Sequence, residues 1–267
     1  MINADSQAIL YALLGGIVPA LVWLWFWTRE DKKRPEPRGL IALSFLGGAL
    51  AAVAVFPMEK FAFNIIPEGI YLIIAWAVIE EIIKFSSVSI IALKSRFFDE
   101  PIDAMIYLIT AALGFAAMEN SFFLITPLLA GEGLQVFLLG NMRFIGASVL
   151  HVVASSAVGI AIGLSFYKSR AVKVLSLALG VVAAVSLHSL FNYFIIKGSG
   201  ENTFAVFLSL WLMVVLVILL FEKVKTIVRR GAEVKKEDSV VAATADKTSQ
   251  SKKSLGELGK MSDLSQH

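Results

Sequence analysis

Residues 76–85 read WAVIEEIIKF and place two adjacent carboxylates, Glu80 and Glu81, and one ammonium, Lys84, inside an apolar segment. The flanking stretches, YLIIA before it and SSVSIIAL after it, contain no charged residue. The whole run is long enough for a membrane-spanning helix, which needs roughly 20 apolar residues. An ionisable side chain near the bilayer centre costs about 2.5–3.5 kcal/mol on insertion. We therefore expect these three groups to have a function or a buried partner.

The composition indicates a polytopic membrane protein. The chain has 267 residues, is 57% hydrophobic and has a mean hydropathy of +0.77, whereas soluble domains are about 45–50% apolar. The apolar residues form seven blocks, at about 6–28, 39–58, 69–93, 104–125, 143–167, 173–196 and 203–222. We predict an all-α fold, a transmembrane bundle of about seven helices. The short apolar stretch 134–142 is compatible with an interfacial or a re-entrant segment.

The basic residues are distributed unevenly between the loops. The loops after the first, third and fifth blocks and the C-terminal tail carry 20 Lys and Arg residues, whereas the alternate loops carry only Lys60, Arg143 and Lys197. Cytoplasmic loops are enriched in Lys and Arg. This distribution predicts that the N-terminus is outside and the C-terminus is cytoplasmic.

The chain changes character at about residue 223. Beyond it the sequence is rich in Lys, Ser, Glu and Thr and contains no aromatic residue, so it cannot bury enough surface to fold alone. We predict that residues 1–222 form the transmembrane domain and that 223–267 form a disordered basic cytoplasmic tail.

Other polar residues within the blocks are Glu119, His151 and His188, with Asn192 one helical turn after His188. The chain has no cysteine, which excludes disulfides and thiolate metal sites. With about 1.5 Å of rise per residue and alternating helix directions, these groups converge on the outer half of the membrane. We therefore expect four helices to contribute to one shared site.

Structural explanations exist for some of these residues. Glu80 and Lys84, four residues apart, are compatible with a buried salt bridge that fixes helix packing. A single buried His or Asn is compatible with a hydrogen bond between two helices. Three carboxylates, an ammonium and two imidazoles at similar depth exceed what packing requires. A receptor or scaffold would leave the carboxylates unexplained.

Two chemical functions fit such a group of side chains. The first is a proton- or cation-coupled transporter, which would need an internal repeat with broken helices; the two halves of the sequence show no convincing repeat. The second is a hydrolase that activates water. Glu80 or Glu81 would be the general base, His151 and His188 would polarise a carbonyl directly or hold a metal ion, and Asn192 would stabilise the oxyanion.

The sequence leaves the metal and the identity of the base open. Two His and one Glu with an open coordination position form a known catalytic zinc set. The chain has no H-E-x-x-H motif.

Four motifs stand in order on successive predicted helices: EEIIK (80–84), FAAMEN (115–120), HVVAS (151–155) and HSLFN (188–192). They resemble the motifs of the PrsW family of intramembrane proteases and, more distantly, those of the CAAX-protease and bacteriocin-processing family. The resemblance covers about residues 70–195, which places the catalytic core at about 69–196.

This resemblance implies that the protein cleaves a single-span membrane protein, such as an anti-sigma factor, on the extracytoplasmic side. The active-site residues that the resemblance implies are Glu80, Glu81, Glu119, His151 and His188; Asn192 completes the set as the oxyanion donor expected from its position after His188. The resemblance implies a metalloprotease, although the CAAX-like relatives have been interpreted as glutamate-dependent enzymes. If the metal is zinc, we expect His151, His188 and Glu119 as its ligands, because Glu119 lies nearest to the two imidazoles in depth. The expected location is the inner membrane of a bacterium or archaeon. The expected partners are the lipid bilayer and the substrate, with no nucleic acid.

The charge asymmetry gives a testable topology. Reporter fusions after Phe61, Glu132 and Ser199 should report an outside position, because the loops there carry few basic residues. Fusions after Pro35, Ser95 and Ser169 should report an inside position and serve as the matched set. An inside signal after Glu132 would contradict the common depth of Glu119 and His151.

Overall fold

All secondary structure in the computed structural model, which describes residues 4–29, 34–197 and 203–227, is helical. The helices are α1 (Ala4–Arg29), α2 (Arg38–Ile65), α3 (Ile70–Ile91), α4 (Asp103–Leu129), α5 (Gly133–Met142), α6 (Ser148–Ser165), α7 (Arg170–Lys197) and α8 (Thr203–Ile227). A π-helical turn, Arg143–Ala147, joins α5 to α6 into one continuous helix. The predicted all-α bundle of about seven helices is confirmed for these residues. The predicted start of the disordered tail at residue 223 is wrong, because α8 continues as a helix to Ile227. The rest of the predicted tail lies outside the described residues.

Six of these helices are long and apolar enough to cross a membrane, with α5 and α6 counted as one. The exception is α3, which has 22 residues but contains Glu80, Glu81 and Lys84. These helices are those of a multi-pass membrane protein, whose surroundings are a lipid bilayer. The orientation of the termini stays a prediction.

The structure extends two of the predicted segments. Helix α2 continues through Pro57 to Ile65, although the sequence suggested an end at residue 58, before the charges of Glu59 and Lys60. Prolines within membrane helices are tolerated where neighbouring groups compensate for the lost hydrogen bond. The stretch 134–142 is not re-entrant, because α5 runs directly into the π-helical turn and α6. No side chain of α5 is buried.

Helix α4 lies at the centre of the bundle and packs against α1, α2 and α6. Every residue from Asp103 to Ala117 is buried, as expected for a helix that is apolar on all sides. Glycines allow the close approach of α2 and α4: a Cβ on Gly48 would clash with the carbonyl of Ala111, and one on Gly114 with the carbonyl of Phe45. Small residues commonly permit such contacts between membrane helices.

The loop between α3 and α4 is tied to the first turn of α4. The Asp103 carboxylate accepts hydrogen bonds from the backbone N–H groups of Asp99 (2.9 Å) and Glu100 (2.7 Å). The Glu100 side chain in turn accepts a hydrogen bond from Arg34, in the segment before α2. These contacts hold the end of this loop against the first turn of α4 and against the segment that precedes α2.

The contact between α2 and α4 can be tested with two glycines of α2. Gly48→Ala should lower the free energy of unfolding by about 1–3 kcal/mol, because the added methyl group forces the two backbones apart. Gly39→Ala is the matched control, since a Cβ there meets no atom within 4 Å and alanine is the better helix former. Thermal unfolding in detergent, followed by circular dichroism, measures both. Equal effects of the two substitutions would contradict this packing.

Candidate active site

Four helices bring the buried polar groups together at a similar level. Glu80 lies ten residues after the start of α3, Glu119 ten residues before the end of α4, and His188 nine residues before the end of α7. At about 1.5 Å per residue, each lies about 15 Å from its helix end. His151 of α6 joins them. The predicted convergence of polar groups from four helices is therefore present.

On α3, Lys84 is paired mainly with Glu81. The Lys84 Nζ lies 2.5 Å from Glu81 Oε1 and 3.8 Å from Glu80 Oε2, whereas the sequence had suggested Glu80 as the partner. Glu80 Oε2 is buried and has no hydrogen-bond partner among the described residues. One carboxylate of the pair is thus compensated, and the other is available for a ligand.

The His188 ring lies between the two carboxylates of α3. Its Nδ1 is 2.7 Å from Glu81 Oε1, and its Nε2 is 3.7 Å from Glu80 Oε2. An ionised carboxylate can only accept a hydrogen bond, so Nδ1 carries the proton and donates it to Glu81. The lone pair of Nε2 therefore faces Glu80.

The His151 ring is oriented in the same manner by a different carboxylate. Its Nε2 lies 3.0 Å from Glu119 Oε2, so Nε2 is the donor to this carboxylate. Its Nδ1 lies 3.0 Å from Lys84 Nζ and 4.0 Å from Glu80 Oε2. The lone pair of Nδ1 thus accepts a hydrogen bond from Lys84 and also faces Glu80.

Three of these side chains fit a metal ion. The ligand atoms of Glu80, His151 and His188 all lie within 4.8 Å of one another. Each imidazole has one nitrogen oriented by a carboxylate and the other turned towards Glu80, which is the usual arrangement of a metal-binding histidine. The buried Glu80 Oε2 is an acceptor that a cation would satisfy. Glu80 is the carboxylate of this group, whereas the sequence had suggested Glu119 as the third metal ligand. Glu119 contacts Nε2 of His151, which is the ring nitrogen that does not face Glu80.

Lys84 is the immediate competitor of a metal ion at this position, because its ammonium donates to the same His151 nitrogen. A lysine side chain is a point charge on a flexible stem. It can withdraw towards Glu81 while keeping its ion pair, so its presence is compatible with a bound ion.

The site is most open on the side of Glu119. The side chains of Glu80, His151 and His188 are at most 6% exposed, whereas the Glu119 side chain is 25% exposed. Arg143, which contacts Glu119, is 13% exposed.

Comparison with known proteins identifies the family. A model of PrsW family intramembrane metalloproteases matches residues 36–220, which is more than half of the chain. The chain belongs to the PrsW family. The matched range contains all the site residues described above, and the resemblance seen in the four motifs is confirmed. The donors Glu80, His151 and His188 are therefore a group that could hold a metal ion in a member of a metalloprotease family.

Curated relatives carry the name Protease PrsW. The relative from Geobacillus kaustophilus is 29% identical over 116 residues, which is 41% of this chain and 50% of that protein. The one from Oceanobacillus iheyensis is 27% identical over 80% of this chain and 94% of its own length. The one from Halalkalibacterium halodurans is 26% identical over 74% of this chain and 91% of its own length. No solved structure matches the chain.

Two residues of this PrsW-family site were missed in the sequence. Arg143 donates to Glu119 Oε2 (2.5 Å) and to Asn120 Oδ1 (2.6 Å), although its charge had placed it in a loop. The Glu59 carboxylate of α2 interacts with those of Glu80 and Glu119, although the predicted block ended one residue before it. The high mean hydropathy of 1.9 within the range 133–165 was a signal that Arg143 lies within a helix.

Asn192, the predicted oxyanion donor, does not join this network. It is half-buried on α7, one turn after His188, and it makes no hydrogen bond with another described side chain. Its amide is therefore available to a substrate.

An apolar cleft of about 480 Å³ lies between α6, α7 and α8 and contains none of the site residues. Leu150 and Val153 line it from α6, and they are rotated about 100° and 200° around the helix axis from His151. The cleft thus flanks the helices that carry the imidazoles and is separate from the polar site.

The unequal partners of the adjacent carboxylates predict unequal effects on stability. In chelator-treated protein, Glu81→Gln should lower the free energy of unfolding by about 3–5 kcal/mol, because it leaves the buried Lys84 without its ion-pair partner. Glu80→Gln should have a smaller effect, because Glu80 Oε2 makes no hydrogen bond and lies farther from Lys84 Nζ, at 3.8 Å. Thermal unfolding in detergent compares the two, and equal losses of stability would contradict the observed pairing.

Proposed function

We propose that the protein hydrolyses a peptide bond in a single-span membrane protein, on the extracytoplasmic side of a bacterial cell membrane. The observation that supports this proposal most directly is the placement of Glu80 Oε2 between two imidazoles, each oriented by its own carboxylate. This donor set suits catalytic zinc, which takes two His and one Glu and keeps a position for water. Membership of a family of intramembrane metalloproteases agrees with it.

In this proposal Glu80, His151 and His188 hold the metal ion. When bound, the ion acts as a Lewis acid on the scissile carbonyl and increases the acidity of water. Glu81 and Glu119 keep the two imidazoles in the required tautomers and orientations, as the hydrogen bonds of His188 and His151 indicate. Glu119 thus supports a ligand and is not one itself.

The remaining groups act on protons and on developing charge. Because Glu80 belongs to the ligand group, Glu81 is the carboxylate that accepts a proton from water. The Lys84 ammonium, 2.5 Å from Glu81 Oε1, stabilises the ionised state of this base. Asn192 donates a hydrogen bond to the oxyanion, a contribution typically worth about 10²–10³ in rate.

The position of the site restricts the substrate. The carbonyls of a helix are engaged in hydrogen bonds to the N–H groups four residues later, so the scissile segment must unwind or lie near a helix end. The site lies about 15 Å from the ends of α3, α4 and α7. We infer that the cleaved bond lies in the outer part of the substrate's span or just beyond it. By family resemblance, an anti-sigma factor is the kind of substrate expected.

The function can be tested with purified full-length protein. We expect it to cleave members of a library of single-span proteins, with cut sites in the outer part of the span as mapped by mass spectrometry. Glu80→Gln and His188→Ala should abolish cleavage, whereas Glu68→Gln, at an exposed carboxylate between α2 and α3, should not. Full cleavage by Glu80→Gln would overturn the proposal.

Metal analysis distinguishes the two candidate third ligands. The purified protein should contain about one zinc ion per chain, and Glu80→Gln, His151→Ala and His188→Ala should lose it. Glu119→Gln should retain the ion with an affinity reduced by about 10–100-fold, because it disturbs only the orientation of His151. Loss of the ion from Glu119→Gln combined with its retention in Glu80→Gln would restore Glu119 as the ligand.

A further inference from the structure

The π-helical turn Arg143–Ala147 interrupts an otherwise α-helical segment. The backbone N–H of Ser148 donates to the carbonyl of Arg143, five residues earlier. In a regular α-helix, residues five apart lie about 140° apart around the axis. The wider turn brings Arg143 and Ser148 onto one face. Such turns are rare and occur frequently at functional sites.

Both ends of this turn bind the same residue of α4. The Nε of Arg143 donates to Asn120 Oδ1 at 2.6 Å, and Asn120 Nδ2 donates to Ser148 Oγ at 3.0 Å. Asn120 and Ser148 are both buried. Asn120 thus uses its acceptor and its donor to hold the two ends of the π-helical turn, which fixes the direction of the Arg143 side chain.

The guanidinium then reaches the polar site through one oxygen atom. Arg143 Nη2 lies 2.5 Å from Glu119 Oε2, and the same oxygen lies 3.0 Å from His151 Nε2. The guanidinium also lies over the ring of Phe123, 3.8 Å from its centroid. Contacts with a carboxylate, an amide and an aromatic ring leave it little freedom.

We propose that Arg143 is a positioning residue that, through Glu119, fixes the ring and tautomer of His151. The guanidinium holds the Glu119 carboxylate in place, so Nε2 of His151 carries the proton and the lone pair of Nδ1 is directed towards Glu80. The carboxylates that support metal-binding histidines typically change metal affinity or activity by about 10–100-fold when altered. The effect on metal binding rests on the proposed function, whereas the effect on the His151 tautomer does not.

The chain allows a direct measurement of the His151 tautomer. It contains only three histidines, of which His267 is the C-terminal residue, so the ¹⁵N spectrum of histidine-labelled protein is simple. We expect metal-free wild-type protein to show His151 protonated on Nε2. Arg143→Gln should shift or broaden the His151 resonances more than those of His188. The reason is that His188 is oriented by Glu81 and meets His151 only through a ring contact, with 5.2 Å between the centroids. Arg143→Lys should restore the wild-type signals in part, since an ammonium can pair with Glu119 but cannot also bind Asn120.

Zinc affinity, measured by chelator competition on the same full-length proteins, is the second readout. Arg143→Gln should weaken zinc binding by about 10–100-fold, with partial recovery in Arg143→Lys. Asn141→Ala is the matched control, because Asn141 is exposed and, among the described residues, its side chain bonds only to the Phe137 carbonyl of its own helix. The zinc affinity of this variant should equal that of the wild type. If the Arg143→Gln protein is too unstable to purify, the Arg143→Lys protein is compared with the wild type instead, and its zinc affinity should be lower.

The two readouts separate the two proposals. Unchanged His151 resonances in Arg143→Gln would overturn the positioning role, even if the wild type binds zinc and cleaves. Wild-type protein that binds no zinc would contradict the metal site alone, while the His151 resonances would still decide the role of Arg143.

Discussion

The ion pair between Lys84 and Glu81 is the interaction on which the rest of the site depends. Within a helix of bilayer-spanning length, either charge alone would carry a large desolvation penalty. Paired at 2.5 Å, each also engages a ring from another helix. Glu81 accepts a hydrogen bond from His188 of α7, and Lys84 donates to His151 of α6. One ion pair on α3 therefore sets the spacing of the two imidazoles.

The carboxylates of the site have two different roles. Glu81 and Glu119 each hold one nitrogen of a histidine, which directs the other nitrogen of each ring towards Glu80. Because these carboxylates already have partners, Glu80 is left with an oxygen that nothing in the described part of the chain satisfies. Its availability is thus a consequence of the neighbouring hydrogen bonds.

The sequence was sufficient for the helices and for the convergence of their polar groups, because block length and helix direction determine depth. It could not decide between Glu80 and Glu81 as the partner of Lys84, since residues three and four apart both share a helix face and side-chain conformation decides. The π-helical turn could not be predicted from the sequence either. The sequence around Arg143 is compatible with an α-helix as well as with a π-helical turn. Only the contacts that Asn120 makes with Arg143 and Ser148 distinguish the two.

The charges of the buried side chains explain why the site would favour a bound cation in addition to Lys84 and Arg143. Lys84 is paired with Glu81, and Arg143 with Glu119. The imidazoles are neutral in the tautomers that their hydrogen bonds require. Glu80 and Glu59 then remain, close enough for their carboxylates to interact. Without a bound ion, a hydrogen bond between the Glu59 and Glu80 side chains lets these two carboxyl groups share a proton. A divalent ion bound by Glu80 would replace this proton, because its positive charge stabilises the ionised carboxylate. Lys84 and Arg143 would keep their ion pairs with Glu81 and Glu119, so the orientation of the histidines would not change.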